Sequence, residues 1–411
     1  MFDSTIHAQT ISRHFRKSDF SSSLWASTVD DKEEVVAEAV RIAENGFSSV
    51  AIRKNTLGGK YVYRQSSLSQ SLLTRHVSDS VRRITKVHQS DRQSIIKSIV
   101  RLSSEGIPYK ILKIDVKSFY ESIDTSSIVS SLKADAAFSR QSIFVLESFF
   151  ENLGIQHIDG LPRGVGLSAT LAEYAMRAFD RAISSQHGVR YYSRYVDDAI
   201  AVLAYGVDAQ EILEIGARHL PTGTEYNRRK TKIFDFKPFV RGSTGLIEHK
   251  ISFLGYEIAI HEAASERNRC YRAVHTDIAE KKISRMKMRL SKTFLKFKDD
   301  RNFDDLIDRI KILTGNHGFL DEATGMQRYA GLRYNYNLID PSRSSALLSL
   351  DQFYVNTLMS KHPNNRIRPN ISLLQRKRML GLGFKKGFME NTFFSFEEDR
   401  LKKLIGCWAH A

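Results

Sequence analysis

Tyr191-Tyr192-Ser193-Arg194-Tyr195-Val196-Asp197-Asp198-Ala199-Ile200-Ala201-Val202-Leu203 reads as the body of two β-strands, spanning Tyr191 to Tyr205, that meet at an Asp-Asp turn. Tyrosine, valine and isoleucine suit a pleated, half-buried surface, and aspartate tolerates turn geometry. The pair itself is the unusual part. Two adjacent carboxylates repel each other, so a merely structural pair wastes stability unless a cation lies between them. Taken alone, the string fits an ordinary hairpin turn equally well.

Upstream, Ile107 to Val116 reads as another strand, in which Ile111-Leu112-Lys113-Ile114 delivers Asp115 to the end. A carboxylate there is costly if it is buried without a partner. Ser126 to Glu151 reads as helical, and a Gly/Pro-rich loop at 160 to 166 leads into a helix from about 169 to 184. Ser168 is placed to cap that helix. Strands and helices of comparable weight make an α+β plan. Together, Asp115, Asp197 and Asp198 offer the hard oxygen ligands that Mg²⁺ prefers, with room for a phosphate-bearing substrate.

Residues 1 to 105 are polar and basic, with a helical stretch at Asp31 to Glu44 and a hairpin loop at Gly58-Gly59 before the β-prone Tyr61-Val62-Tyr63. Arg75, Arg82, Arg83, Lys86, Arg92, Lys97 and Arg101 fall in a mostly helical stretch, where a solvated face accounts for any one of them. Beyond about 263 the chain reads as helical and basic. Ile283, Met286, Leu290, Phe294 and Phe297 form one apolar stripe, and lysines and arginines from Lys281 to Lys298 fall mostly elsewhere on the helix.

The charge balance fits that reading. There are 62 Lys and Arg against 46 Asp and Glu, a surplus of +16 that suits a phosphate backbone or an anionic membrane face. No apolar run approaches the length a bilayer needs, so no membrane partner is expected, and Met1 to Arg16 lacks the apolar core of a signal peptide. Cys270 and Cys407 form neither a CxxC pair nor a disulfide framework. That argues against structural zinc and for a reducing, cytoplasmic location.

The chemistry-bearing strings follow one another in a fixed order. Asp115-Val116-Lys117-Ser118-Phe119-Tyr120 comes first, then Gly160-Leu161-Pro162-Arg163-Gly164-Val165-Gly166-Leu167-Ser168. Tyr195-Val196-Asp197-Asp198, Tyr226-Asn227-Arg228-Arg229-Lys230-Thr231 and Phe253-Leu254-Gly255-Tyr256 complete the series. This succession resembles motifs A to E of reverse transcriptase palms. The resemblance implies a right-hand polymerase: an N-terminal region and fingers over 1–106, and a palm of antiparallel sheet plus helices over 107–262. An α-helical, basic thumb over 263–340 and a C-terminal helical extension over 341–411 would follow. It also implies an RNA-directed DNA polymerase that adds dNTPs with two Mg²⁺ ions, or Mn²⁺ in their place, using an RNA template and yielding a DNA product.

Residue by residue, the resemblance has Asp115 and Asp197 bridging both ions, Asp198 on the attacking side, and the Val116 carbonyl completing the shell. Tyr120, next to Phe119, stands at the position of the aromatic gate that rejects a 2′-hydroxyl; a core tyrosine is the plain alternative. Gly164 and its neighbouring glycines let backbone approach the incoming base pair. Arg163 stands where glutamine is usual and Ala169 where proline is usual, though Arg163 can still reach the nucleotide or its phosphates. Lys230 matches the motif D lysine, a general acid for pyrophosphate, or is one surface cation among Arg228, Arg229 and Lys232. Phe253, Leu254 and Gly255 resemble the primer grip.

The departures at 163 and 169, together with Leu313 to Leu348, are similar to the prokaryotic defence-associated and abortive-infection branch. That branch implies an antiviral role, a dedicated non-coding RNA as template, and sometimes a homo-oligomer or a partner protein. Three alternatives stay open: a retron- or intron-type enzyme outside defence, a catalytically silent nucleic-acid-binding protein with the same fold, and an RNA-dependent RNA polymerase. Tyr120 and the Phe-Leu-Gly turn disfavour the last.

Overall fold

The computed structural model describes residues 4–16, 19–20, 32–57, 60–241, 245–266, 269–321, 326–360 and 369–408. The expected Gly58-Gly59 loop, the start of the expected helix at Asp31 and the first three residues lie outside them. The chain divides into two compact units, Met1–Ile95 with Pro108–Pro238, and Ile96–Ile107 with Phe239–Ala411.

In the first unit, β1 (Ile52–Leu57) and β2 (Lys60–Gln65) form an antiparallel hairpin. The helix Leu68–Thr85 follows it directly. Ser67 starts that helix with a capping box: its hydroxyl accepts from the Gln70 N–H at 3.2 Å, and the Gln70 side chain accepts from the Ser67 N–H at 3.3 Å. The main sheet contains β3 (Tyr109–Asp115), β4 (Val189–Tyr195), β5 (Asp198–Ala204) and β6 (Lys232–Phe236), in the order β4-β5-β3-β6. The order explains the composition. Central strands β3 and β5 are covered on both faces and read as nearly continuous apolar runs, with Ile111, Leu112, Ile114 and Ala199 to Leu203 buried. Edge strands β4 and β6 carry the exposed cations Arg190 and Lys232, which discourage pairing with another chain.

The helical stretch expected over Ser126 to Glu151 is two helices, Thr125–Ala134 and Arg140–Ile155. Each has its own N-cap: Asp124 accepts from the N–H groups of Ser126 and Ser127, and Ser139 from that of Ser142. The helix expected from about 169 begins earlier, as Gly166–Ala175, and resumes as Arg177–Ser184. Its N-cap is Val165, without a side-chain bond; Ser168 is buried inside the first turn with its hydroxyl unpartnered. The capping expectation for Ser168 is therefore wrong, because the glycine-rich loop turns helical two residues before it.

The second unit opens with β7 (Ile247–Phe253), β8 (Tyr256–Glu266) and β9 (Arg269–Ile278), an antiparallel sheet in sequence order. The helix Glu280–Asp300 buries Ile283, Leu290, Phe294 and Phe297 of its stripe and leaves Met286 half-buried. The helix Phe303–Thr314 then leads to β10 (Asn316–Asp321) and β11 (Met326–Gly331), and a short strand β12 (Phe393–Ser395) joins them in the order β11-β10-β12. Helices Ser345–Met359, Leu373–Leu380, Phe384–Met389 and Glu398–Ile405 fill the remainder. The α+β plan stands, but the stretch after 263 is not purely helical. A boundary at 262/263 falls inside β8, where the alternation of buried Tyr256, Ile258 and Ile260 continues past a bulge to Ala263. Among the described residues, no helix is long and apolar enough to cross a membrane.

Candidate active site

Pairing of β3 with β5 sets Asp115 opposite Asp198, and the Val116 N–H donates to the Asp197 carbonyl at 3.1 Å. Residues more than eighty positions apart in the chain thus meet at one end of the sheet. β4 and β5 are joined by the two-residue turn Val196-Asp197, with Tyr195 facing Asp198. Val196 has φ +59°, a left-handed conformation that is strained for a β-branched residue. Arg194 holds it there. Its Nη1 donates to the Val196 carbonyl at 2.9 Å, while the same buried guanidinium pairs with Asp180 at 2.8 Å and Glu173 at 2.6 Å. Sequence reasoning did not single out Arg194. The available signal was a lone cation between tyrosines in an otherwise β-prone run.

Asp115 is only 3% exposed, and its carboxylate accepts from Lys230 Nζ at 2.9 and 3.2 Å. That bond raises the Lys230 pKa. The segment Tyr226–Thr231 reaches this position through its backbone: the Asn227 N–H donates to the Asp115 carbonyl at 2.8 Å, and the Asp115 N–H to Thr231 Oγ1 at 3.3 Å. Burial raises the pKa of Asp197, and the neighbouring Asp115 adds to it. Asp198 is pushed up to about 6 by burial, then by Asp197 and Asp115, with the Lys113 ammonium pulling the other way. Burial in turn lowers the Lys113 pKa. The two carboxylates of the turn are thus held above the usual carboxylate range even with Lys113 and Lys230 nearby.

Asp115 and Asp197 border a cleft of about 320 Å³ whose wall also includes Val116, Phe119, Arg163 and Lys230. Asp198 stands behind that wall, paired in register with Asp115 rather than lining the cleft. Among the described residues, no group of three or more His, Cys, Asp and Glu side chains is gathered as a ready-made metal site. The donor chemistry nevertheless fits a divalent cation. The Asp115 and Asp197 carboxylates share one wall, and burial first, then the neighbouring carboxylates, raise the pKa values of Asp197 and Asp198, a cost to the charged forms that a cation would offset.

The loop from Gly160 to Gly166 packs its backbone on two neighbours. Gly160 has φ +64°, and a Cβ there would lie 2.5 Å from the Tyr120 carbonyl, to which the Leu161 N–H donates at 2.7 Å. Gly164 has φ +94°, and its Cβ would lie 2.6 Å from the Tyr63 carbonyl. Only glycine meets both demands. Arg163 between them makes a paired contact with Glu121, Nε to Oε1 at 2.5 Å and Nη2 to Oε2 at 3.1 Å, and lies 5.4 Å from the Tyr120 ring centre. Phe119 is buried and reaches the cleft wall, whereas half-buried Tyr120 faces Arg163. Phe253, Leu254 and Gly255 belong to the second unit. There the β7–β8 hairpin turns on Leu254 (φ +46°) and Gly255 (φ +84°), the left-handed pair of a tight two-residue loop.

A second cavity of the first unit, about 660 Å³, lies on the other side of the same loop and was not anticipated. Gly164 to Leu167 form part of its wall, and Arg13, Arg16, Arg64, Arg75, Arg82 and Arg83 form much of the rest. Among the described residues Asp79 is the one acid of that wall, and it pairs with Arg83 at 2.9 Å; Arg75 is paired bidentately with Asp19, at 2.7 and 2.9 Å. The Arg16 pKa is lowered by burial and then by the Arg75 charge. Cations crowded in this way attract anions.

No curated protein compared with the chain matches it. Among solved structures, apo telomerase from Candida tropicalis truncated from its C-terminal domain is similar at 13% identity and a TM-score of 0.31, over 46% of this chain. The chain covers 42% of that telomerase, so it spans less than half of its length. At that level the likeness carries no argument. A sequence model of the reverse transcriptase (RNA-dependent DNA polymerase) family matches residues 54–258, from β1 through the first residues of β8, and so includes every motif string from Asp115 to Tyr256. Residues 54–258 thus carry a reverse transcriptase domain.

Proposed function

We propose that the chain copies an RNA template into DNA, with Asp115 and Asp197 as the principal metal-binding carboxylates. The observation that carries this reading is the β3–β5 register, which brings Asp115 beside the Asp197-Asp198 turn with a 3.1 Å hydrogen bond between Val116 and Asp197. Divalent ions such as Mg²⁺ or Mn²⁺, held by Asp115 and Asp197 with help from Asp198 and the Val116 carbonyl, would activate the primer 3′-hydroxyl and neutralise the triphosphate.

The chain's own residues do the rest. Lys230, paired with Asp115 at 2.9 Å, would donate a proton to the departing pyrophosphate. Arg163 and Phe119 line the wall that would meet the incoming nucleotide, while Tyr120, packed by Arg163 and outside the cleft lining, would have to act as the 2′-hydroxyl gate through that contact. Gly164 lets the loop lie flat against β2 between cleft and arginine cavity. The arginine cavity supports a polyanionic template next to the cleft.

The test is incorporation of labelled dNTP and, separately, rNTP on a primed RNA template by the purified full chain with Mg²⁺. Incorporation of dNTP that vanishes in Asp115→Asn supports the reading, and a Tyr120→Ala chain that gains rNTP incorporation supports the gate. Equal incorporation by wild type and Asp115→Asn overturns it. The finer part of the proposal is a role in bacterial antiviral defence with a dedicated non-coding RNA. It rests on the resemblances at Arg163, Ala169 and Leu313 to Leu348. Phage plating on cells with and without the intact aspartates tests it, and equal plaque counts reject it.

A further inference from the structure

The turn that carries Asp197 is held in a conformation its own sequence disfavours. Of its two residues, Val196 takes a positive φ and Asp197 does not. Two-residue hairpin turns that need a positive φ at their first position normally place glycine, asparagine or aspartate there. A β-branched side chain crowds its own backbone in that region, yet Val196 also packs its side chain against the buried core of the first unit. Left to itself, a valine favours a negative φ, and that change would swing the adjoining Asp197 peptide.

Arg194 supplies the restraint. It is 7% exposed, and each of its five N–H groups has an acceptor. Nη1 donates to the Val196 carbonyl at 2.9 Å and to Glu173 Oε1 at 3.3 Å, and Nη2 to Glu173 Oε2 at 2.6 Å. Nη2 and Nε also donate to the two oxygens of Asp180, both at 2.8 Å. Asp180 is fixed in turn by the Tyr192 hydroxyl, which donates to Oδ1 at 2.6 Å. Glu173 lies on the helix Gly166–Ala175 and Asp180 on Arg177–Ser184, on either side of the break at Met176. One guanidinium thus ties both helices to a single carbonyl of the turn. Lysine cannot replace it: an ammonium has three N–H groups and no plane with which to meet two carboxylates side-on.

An ion cluster that only joined helices to the sheet would need no bond to the one strained residue beside Asp197. The turn is instead grasped from both ends, since the Val116 N–H donates to the Asp197 carbonyl while Arg194 holds that of Val196. Arg194 lines no part of the cleft, so it can act there only through the turn. We propose that Arg194, braced by Glu173 and Asp180, is a positioning residue: it keeps Val196 left-handed and thereby sets the Asp197 carboxylate beside Asp115 for a divalent cation. The proposal rests on the metal-binding role given to those two carboxylates above.

The test uses glycine's indifference to the sign of φ. A residue that works by holding Val196 should matter little once position 196 accepts the conformation unaided. Arg194→Gln and Arg194→Lys are made in the full chain, with and without Val196→Gly, and Mn²⁺ binding is followed by electron paramagnetic resonance without nucleotide. With valine at 196, either arginine variant should weaken Mn²⁺ binding about ten-fold; with Val196→Gly, the loss should be less than about three-fold. Incorporation of dNTP, run alongside, should show kcat falling by about 10²-fold, KM for dNTP within about two-fold, and the same partial restoration by Val196→Gly.

Wild-type Mn²⁺ affinity in Arg194→Lys would show that charge balance suffices, and equal losses with valine and glycine at 196 would show an effect that bypasses the turn. Either result overturns the proposal, as does a wild-type chain that binds no Mn²⁺. Should Arg194→Gln lack a cooperative thermal transition, Arg194→Lys, which keeps the buried charge, decides alone. Mn²⁺ binding that follows the expected pattern in a chain incorporating no dNTP rejects the polymerase reading and upholds the role of Arg194.

Discussion

The cleft beside Asp115 and Asp197 and the cavity lined by Arg16, Arg75 and Arg82 share one loop and carry opposite charge. Leu161 and Arg163 face the first, and Gly164 to Leu167 the second. On the acidic side, burial and like charge raise the pKa values of Asp197 and Asp198. On the basic side, burial and like charge lower those of Arg16 and His14. Each side therefore lacks the charge that its proposed occupant would bring, a divalent cation in one and a phosphate chain in the other. One glycine-bearing loop contributes residues to both walls.

The largest effect should separate the two sides cleanly. Asp197→Ala is expected to reduce dNTP incorporation by at least ~10³-fold while leaving the thermal midpoint and single-stranded RNA affinity close to wild type. Incorporation assays and a filter-binding titration on the same preparation check this. If RNA affinity collapses along with activity, the two sites are not independent and the comparison fails.

Next in size is a change in the shared loop. Gly164→Val puts a branched side chain at φ +94° and 2.6 Å from the Tyr63 carbonyl, so either the loop or β2 must move. Both sides should suffer, with a loss of about 10²-fold in kcat/KM and weaker RNA binding. Gly166→Ala is the control. It lies at the helix start with no atom within 4 Å of the added carbon, and should be nearly silent in both assays.

The two sides also differ in how far they can be read from sequence. The acidic one was legible because its parts are local: a carboxylate ending an apolar strand, a second pair between β-prone runs, and a glycine-rich loop between them. Register then did what alternation and turn chemistry predict. Arg194 escaped notice because its importance lies in a carbonyl and two acids that only the packed helices supply. The basic cavity escaped for the same reason: Arg13, Arg64 and Arg82 come from separate elements, and each alone reads as a solvated cation. The β8–β9 hairpin was missed because Glu262-Ala263-Ala264-Ser265-Glu266 is helix-favouring in composition, and tertiary pairing with Arg269 to Arg272 overrides it.

A smaller effect is expected from single arginines of the basic cavity. Arg82→Gln or Arg16→Gln should weaken RNA binding several-fold and reduce the slope of log affinity against log salt by about one, with kcat at saturating template unchanged. A titration at several salt concentrations measures this. An unchanged slope would remove the residue from the phosphate path.

The smallest effect concerns pH and belongs to the basic side alone. His14 has its pKa lowered to about 4, first by burial and then by His76, with Arg75 and Arg16 adding to the shift and Asp79 opposing it. Its Nε2 lies 3.2 Å from His76 Nδ1, so protonating both rings would set like charges in contact. In the unfolded chain the imidazole titrates near 6.5. Between that value and about 4 the unfolded state binds the extra proton, so this contribution to stability is complete above about 6.5 and falls as pH drops toward 4. His14→Gln removes the titration. Denaturant unfolding of both proteins from pH 7.5 to 4.5 should show wild type losing about 1 kcal/mol more than the variant, a figure reduced from the full shift because the ring is partly solvated. An unpaired RNA strand bound in the cavity should shrink that difference by supplying negative charge beside the imidazolium. The same strand should have no such effect on a chain whose cavity arginines have been replaced. A pH-dependent difference that RNA leaves untouched would mean that the anion binds elsewhere, and the pairing of an acidic with a basic chamber across one loop would lose its second half.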